Sequence, residues 1–156
     1  MGTFLVVRDN SGKLGAPVGA VLAGSRGFVE EAWRFKQRFG GAMRQAGIIA
    51  AAGLYALEHN IDRLSDDHER ARRLARGLAE LPGILLDADR VETNIVIFEV
   101  TAAGVTAETF AERALARGGV RFTVIGPTTV RAVTHLDLPP DAVERALAAA
   151  HAALVP

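Results

Sequence analysis

"GGAMRQAGIIAAAGLYALEHNIDRLSDDHERARRLARGLAELPG", residues 40–83, joins two segments of unlike chemistry within one helical pattern. Gly40 and Gly41 break whatever helix precedes them, because adjacent glycines lose much backbone entropy on ordering and free the chain to turn. From about Met43 to Leu81 the apolar positions Leu54, Leu57, Ile61 and Leu64 give way to Ala71, Leu74, Leu78 and Leu81 at helical spacing. The first half is apolar nearly all round and is expected to be buried on several sides. The second half carries "DDHERARR" and is expected on the surface. Pro82 and Gly83 end the region.

On its N-terminal side, "TFLVV" (3–7) reads as a short buried strand, residues 10–19 as a Gly/Ser/Pro turn, and "VGAVLAG" (18–24) as a second apolar strand. Ser25 is placed to cap a helix in which Phe28, Ala32, Phe35 and Phe39 form one stripe, with Glu30, Arg34 and Arg38 off it. On the C-terminal side the character changes. "GILLDA" and "TNIVIFEV" read as strands, Thr106 to Arg117 as a helix, "VRFTVI" and "TVRAVTH" as strands, and the segment after Pro139 and Pro140 as a last helix. Pro140 suits the first helical turn, where its missing N–H has no partner to lose, and Val143, Leu147, Ala150 and Leu154 give the inward face. The order β, β, α, β, β, α predicts a small antiparallel sheet with helices packed on one side.

Eighteen basic and eighteen acidic residues cancel, so no global charge draws the chain to nucleic acid or an anionic membrane. Cysteine is absent, which excludes disulfides, thiolate metal sites and thiol catalysis. The longest apolar run, "AGIIAAAGLYAL" (46–57), is too short to span a bilayer, and the N-terminus lacks the pattern of a signal peptide. These features predict a cytoplasmic protein with no nucleic-acid or membrane partner. His59, His68, His135 and His151 lack metal-ligand spacing, so no metal site is expected. Ser11 and Ser25 have no adjacent base.

Two arginines stand out. Arg44 lies at the start of the central helical pattern, where a cation opposes the helix dipole, so solvent, an acidic neighbour or a bound anion has to compensate. Structural ion pairing and anion binding both remain open. Arg131 sits in "TTVRAVTHL" among strand residues. A buried guanidinium needs a partner and a carboxylate fits its planar fork, whereas an edge-strand arginine can simply face water. The glycines of "GKLGAPVG" and "GGAMRQAG" could let backbone amides approach a phosphate, but neither has the spacing of a nucleotide-binding loop.

Read in order, "LGAPVGAVLAGS" (14–25), residues 40–83 and "VRAVTHLDL" (130–138) resemble the C-terminal half of the low-specificity L-threonine aldolases, of the beta-eliminating lyase/threonine aldolase family, over Leu14 to Leu154. The resemblance implies a pyridoxal 5'-phosphate-dependent lyase of the aspartate aminotransferase-like fold type I, cleaving threonine or allo-threonine to glycine and acetaldehyde. It implies that Lys13 is the Schiff-base lysine, that Arg44 lies near the active site, and that Arg131 holds the substrate carboxylate. The family order Ser-Lys-Gly-Leu-Gly is here Ser11, Gly12, Lys13, Leu14, Gly15, which puts the lysine one position late.

The family's ring-stacking histidine, its acidic partner for the ring nitrogen and its main phosphate loop lie upstream of the matched part. The implied fold class is thus α/β with an α+β C-terminal part. It divides into a remnant of the large cofactor domain (1–42), a long connecting helical region (43–82) and a small domain with an antiparallel sheet covered by helices (83–156). The implied function is a homo-oligomeric lyase acting on an amino acid, truncated and inactive alone. The alternative is a non-catalytic assembly or small-molecule-binding module derived from it.

Overall fold

A computed structural model describes residues 5–9 and 14–155, in two compact units that divide between Asp62 and Arg63. The first unit starts with an antiparallel pair, β1 (Leu5–Asp9) and β2 (Gly19–Ala23), in the register Leu5↔Ala23 to Asp9↔Gly19. The two strands expected from the sequence are present, the first running on to Asp9 instead of ending at Val7, with Thr3 and Phe4 outside the described residues. Ser25 then caps α1 (Arg26–Arg38) as expected: its backbone is extended and its hydroxyl accepts from the Phe28 N–H at 3.4 Å. Gly40, at φ +79°, turns the chain after α1.

The helical region expected from Met43 to Leu81 is built as two helices, α2 (Gly47–His59) and α3 (Leu64–Ala79). Asn60 closes α2, and its side-chain amide donates to the Leu14 carbonyl at 2.6 Å, anchoring the loop before β2. The division between the two units falls in the gap between these helices.

Burial in the first unit departs from the expectation. Only Ala56 of α2 is buried, Ile48 is 86% exposed, and α1 has no buried residue. Phe28 and Ala32 are half-buried, while Phe35 and Phe39 on the same stripe are exposed. A helix apolar on all sides needs neighbours on several sides, and among the described residues of its unit the element that α2 packs on most is β2.

The second unit closes around its own core. Strands β3 (Ile84–Leu85), β4 (Ile95–Val100), β5 (Thr123–Val124) and β6 (Thr129–Val133) form an antiparallel sheet in the order β3-β4-β6-β5. The period-2 alternation of strands sends Val96, Phe98 and Val100 of β4, and Val130 and Ala132 of β6, toward the helices. There Phe98 meets Phe110 edge-on with centroids 5.6 Å apart, and Phe122 lies 5.4 Å from Phe110. The helices are α3, α4 (Ala107–Gly118), capped by Thr106, and α5 (Ala142–Leu154).

Two details of the helices correct the sequence expectation. Helix α3 carries most of the charged run on its outer side, as expected, but buries Ala71, Leu74, Ala75 and Leu78 on the other, and Asp67 with them. Asp141 is the N-cap of α5, so Pro140 precedes the helix instead of starting it. The deepest face of α5 is Val143, Ala146, Ala149, Ala150 and Ala153, with Leu147 and Leu154 half-buried at its edges. Alanines let α4 approach closely, to the point where a methyl group on Gly118 would overlap that of Ala149. Arg113 and Arg117 of α4 cap the far end of α5, Arg117 Nη1 donating to the Ala152 and Val155 carbonyls at 2.7 and 2.8 Å. No helix among the described residues is long and apolar enough to cross a membrane.

Candidate functional site

The alternation that buries Val130 and Ala132 places Thr129, Arg131 and Val133 on the opposite face of the sheet, away from α3, α4 and α5, where the neighbouring Ile97 is exposed. Arg131 lies on an inner strand, paired across to Ile97 of β4 and Thr123 of β5, and is half-buried. Its Nε is buried and has no hydrogen-bond partner, and no carboxylate pairs with it among the described residues. Glu99 stands on the same face, opposite Thr129, and is exposed. Five N–H donors on an apolar-flanked surface, one of them shut away from water, make a position suited to a planar anion.

Just beyond Arg131 the sheet ends in a buried polar knot that the sequence reading did not identify. Thr134 N–H donates to the Asn94 carbonyl at 2.9 Å, and Asn94 Nδ2 donates to the Thr134 carbonyl at 2.6 Å. The Thr134 hydroxyl donates to the Asp67 carbonyl on α3 at 2.6 Å. The Asp67 carboxylate is fully buried, with Oδ1 2.7 Å from Arg63 and 3.8 Å from Arg70, while Oδ2 has no partner. The available signal was the strand alternation itself. Carried one step outward, it puts Asn94 in line with Val96 and Thr134 in line with Ala132, both on the core side.

A cavity of about 330 Å³ lies under the end of β6, lined by Phe122, Ala132, Thr134, His135 and Val143 among others. Arg131 is not among its lining residues, since it points from the other face. His135 Nδ1 is 3.5 Å from Asp137 Oδ2, and His59 Nδ1 is 2.9 Å from the Tyr55 carbonyl, with the Tyr55 and His59 rings stacked 4.1 Å apart. Among the described residues, no group of His, Asp and Glu side chains could hold a metal ion.

The other two candidates belong to the first unit. Arg44 is exposed and lies three residues before Gly47, the first residue of α2, separated from the N-cap Ala46 by Gln45 at φ +50°. Ala46 offers no side-chain cap, and the first turn of α2 has no acidic residue. Lys13 lies outside the described residues. The chain's other lysine, Lys36, rests with its amine 4.6 Å from the Trp33 ring centroid.

The family model described as "Beta-eliminating lyase" matches residues 6–103. The chain belongs to the beta-eliminating lyase family. It is 39% identical over 125 residues to the low specificity L-threonine aldolase of Escherichia coli K12, covering 80% of this chain and 35% of that protein. It is 37% identical over 123 residues to low-specificity L-threonine aldolase 1 of Arabidopsis thaliana, covering 78% of this chain and 34% of the relative. The chain therefore spans about a third of the length of these relatives.

Two solved structures each superpose on 96% of this chain with 44% of their own. One, from Exiguobacterium sp. 255-15, is provisionally described as an aromatic amino acid beta-eliminating lyase/threonine aldolase (TM-score 0.70, 22% identity). The other, from Listeria monocytogenes, is provisionally described as an L-allo-threonine aldolase (TM-score 0.68, 19% identity). These agree with the fold expected from the sequence, mixed helix and antiparallel sheet, and with the resemblance that led to it.

Family membership implies pyridoxal phosphate. The one lysine amine among the described residues, that of Lys36, is held against Trp33, and Lys13 lies outside them. The described residues alone therefore do not fit the cofactor, and the chemistry they do support is that of Arg131.

Proposed function

We propose that this chain is the carboxylate-binding part of a threonine-aldolase-type carbon–carbon lyase, a cytoplasmic enzyme acting on threonine or allo-threonine. The observation that carries the reading is Arg131: a strand arginine on an open sheet face, Nε buried and unpartnered, in a chain 39% identical to a low specificity L-threonine aldolase. The guanidinium fork grips the amino acid's carboxylate with paired N–H···O bonds and fixes the orientation of its Cα. Ile97 and Thr123, its cross-strand neighbours, limit the directions from which the carboxylate approaches. Lys13 is proposed as the residue that would bind the cofactor, and Arg44 as an anion-binding residue at the open start of α2.

Because the chain spans about a third of its relatives, the proposal assigns turnover to the assembled enzyme and not to this chain alone. With threonine and added pyridoxal phosphate the purified chain releases no acetaldehyde. Turnover by the chain alone would contradict that part. Calorimetric titration with threonine and glycine is expected to show saturable binding that Arg131→Ala abolishes. Equal binding by the variant would remove the role of Arg131.

A second reading, assembly into homo-oligomers, is favoured by the first unit's surface. Trp33, Phe35, Phe39, Ile48, Leu54 and Tyr55 are exposed, and an apolar groove of about 510 Å³ runs between β2 and α2. Light scattering of the full chain is expected to give a mass above that of one copy. A stable monomer at high concentration would exclude this reading.

A further inference from the structure

All three buried polar side chains among the described residues, Asp67, Asn94 and Thr134, meet at the end of the strand that carries Arg131. Apolar residues at positions 94 and 134 would continue the inward rows of Val96 and Phe98 and of Val130 and Ala132 without the cost of burying polar groups. The polar knot therefore supplies something that packing does not: directed bonds that close in one register only. Two of them join Asn94 and Thr134 immediately beyond the Ile95↔Val133 pair, and the third ties Thr134 to α3. A slip of β6 by one residue would turn Arg131 toward Phe98 and Phe110, carry Thr134 to the opposite face, and leave the Asn94 side chain buried without its partner.

We infer that Asp67, Asn94 and Thr134 form a register lock that positions Arg131, three residues back along β6, at a fixed depth on the open face. The inference rests on the reading of Arg131 as the carboxylate-binding residue. Asp67 acts through its carbonyl, while its carboxylate, clamped by Arg63 and Arg70, holds the first turn of α3 in place. All three are positioning residues, and Thr134 is the hinge of the arrangement because it bonds both to Asn94 and to Asp67.

The buried Nε–H of Arg131 reports the lock directly. In the full chain labelled with ¹⁵N-arginine, its resonance is assigned by its loss in Arg131→Lys. Thr134→Val removes one hydroxyl at nearly constant volume. It is expected to leave a cooperative thermal transition, to shift the Arg131 Nε–H resonance, to speed its solvent exchange about tenfold, and to weaken threonine binding about tenfold, the effect of losing one buried hydrogen bond. Thr134→Ser, which keeps the donor, restores both signal and affinity. Should Thr134→Val fail to fold, Asn94→Ser, which withdraws the side-chain donor but keeps the backbone pair, is read in the same way. A lowered melting temperature with the Arg131 signal unmoved would show a merely structural role and overturn the lock. If the signal responds but no form of the chain binds threonine, the lock stands and the carboxylate reading fails.

Discussion

In the second unit every residue of the continuous core, from Ala71 to Ala153, is supplied by the unit itself, whereas in the first unit the buried apolar residues among those whose side chains are described are Leu14, Ala16 and Ala56. The two units are similarly rich in apolar residues, so the difference lies in partners and not in composition. The sheet of the second unit offers one face to three helices, and each helix has a matching apolar stripe. In the first unit, α1 and α2 carry apolar residues that a two-stranded sheet cannot cover. Burial follows from what the chain has to pack against as much as from its pattern.

The comparison can be broken most forcefully by truncating one phenylalanine in each unit. Phe110→Ala empties the centre of the aromatic cluster and is expected to cost about 3–5 kcal/mol of unfolding free energy in urea titration. Next in size is Gly118→Ala. The new methyl would overlap Ala149 and come within 2.9 Å of its Cα, so α4 and α5 have to separate, at about 1–3 kcal/mol. The opposite sign is expected for the same exchange in the first unit. At Gly53, in the interior of α2, an added Cβ meets nothing within 4 Å, and Gly53→Ala should raise helicity by circular dichroism and favour α2 by about 0.5–1 kcal/mol. The smallest effect belongs to Phe39→Ala. Phe39 is 81% exposed, and its loss should change the stability of the dilute chain by less than about 0.5 kcal/mol. A cost near that of Phe110→Ala would show that the first unit has a core of its own.

How far these features could be read from the sequence follows the same division. Alternation in "TNIVIFEV" and "TVRAVTH", the Ser25 cap and the glycine and proline stops are local signals, and the strands and helices they predict are present. Arg131 was recognisable because a charged residue interrupted an apolar strand. The knot behind it was not, since Asp67 stands in a charged run that reads as a solvated face and only its distant partners bury it. The burial expected for α2 is not met, since a pattern states what a helix needs without supplying the surface that meets it. The gap between α2 and α3 was hidden for a related reason: Asn60 turns the chain by bonding to Leu14, a contact across 46 positions that helical periodicity cannot register.

Hydrogen exchange of the full chain at low concentration, followed by mass spectrometry, compares the two units in one experiment. The account predicts that amides of β4, β6, α4 and α5 exchange together and slowest, by global unfolding, while those of α1 and α2 exchange far faster. If α2 were as protected as β4 in the dilute chain, the claim that the second unit alone carries a self-sufficient core would be contradicted.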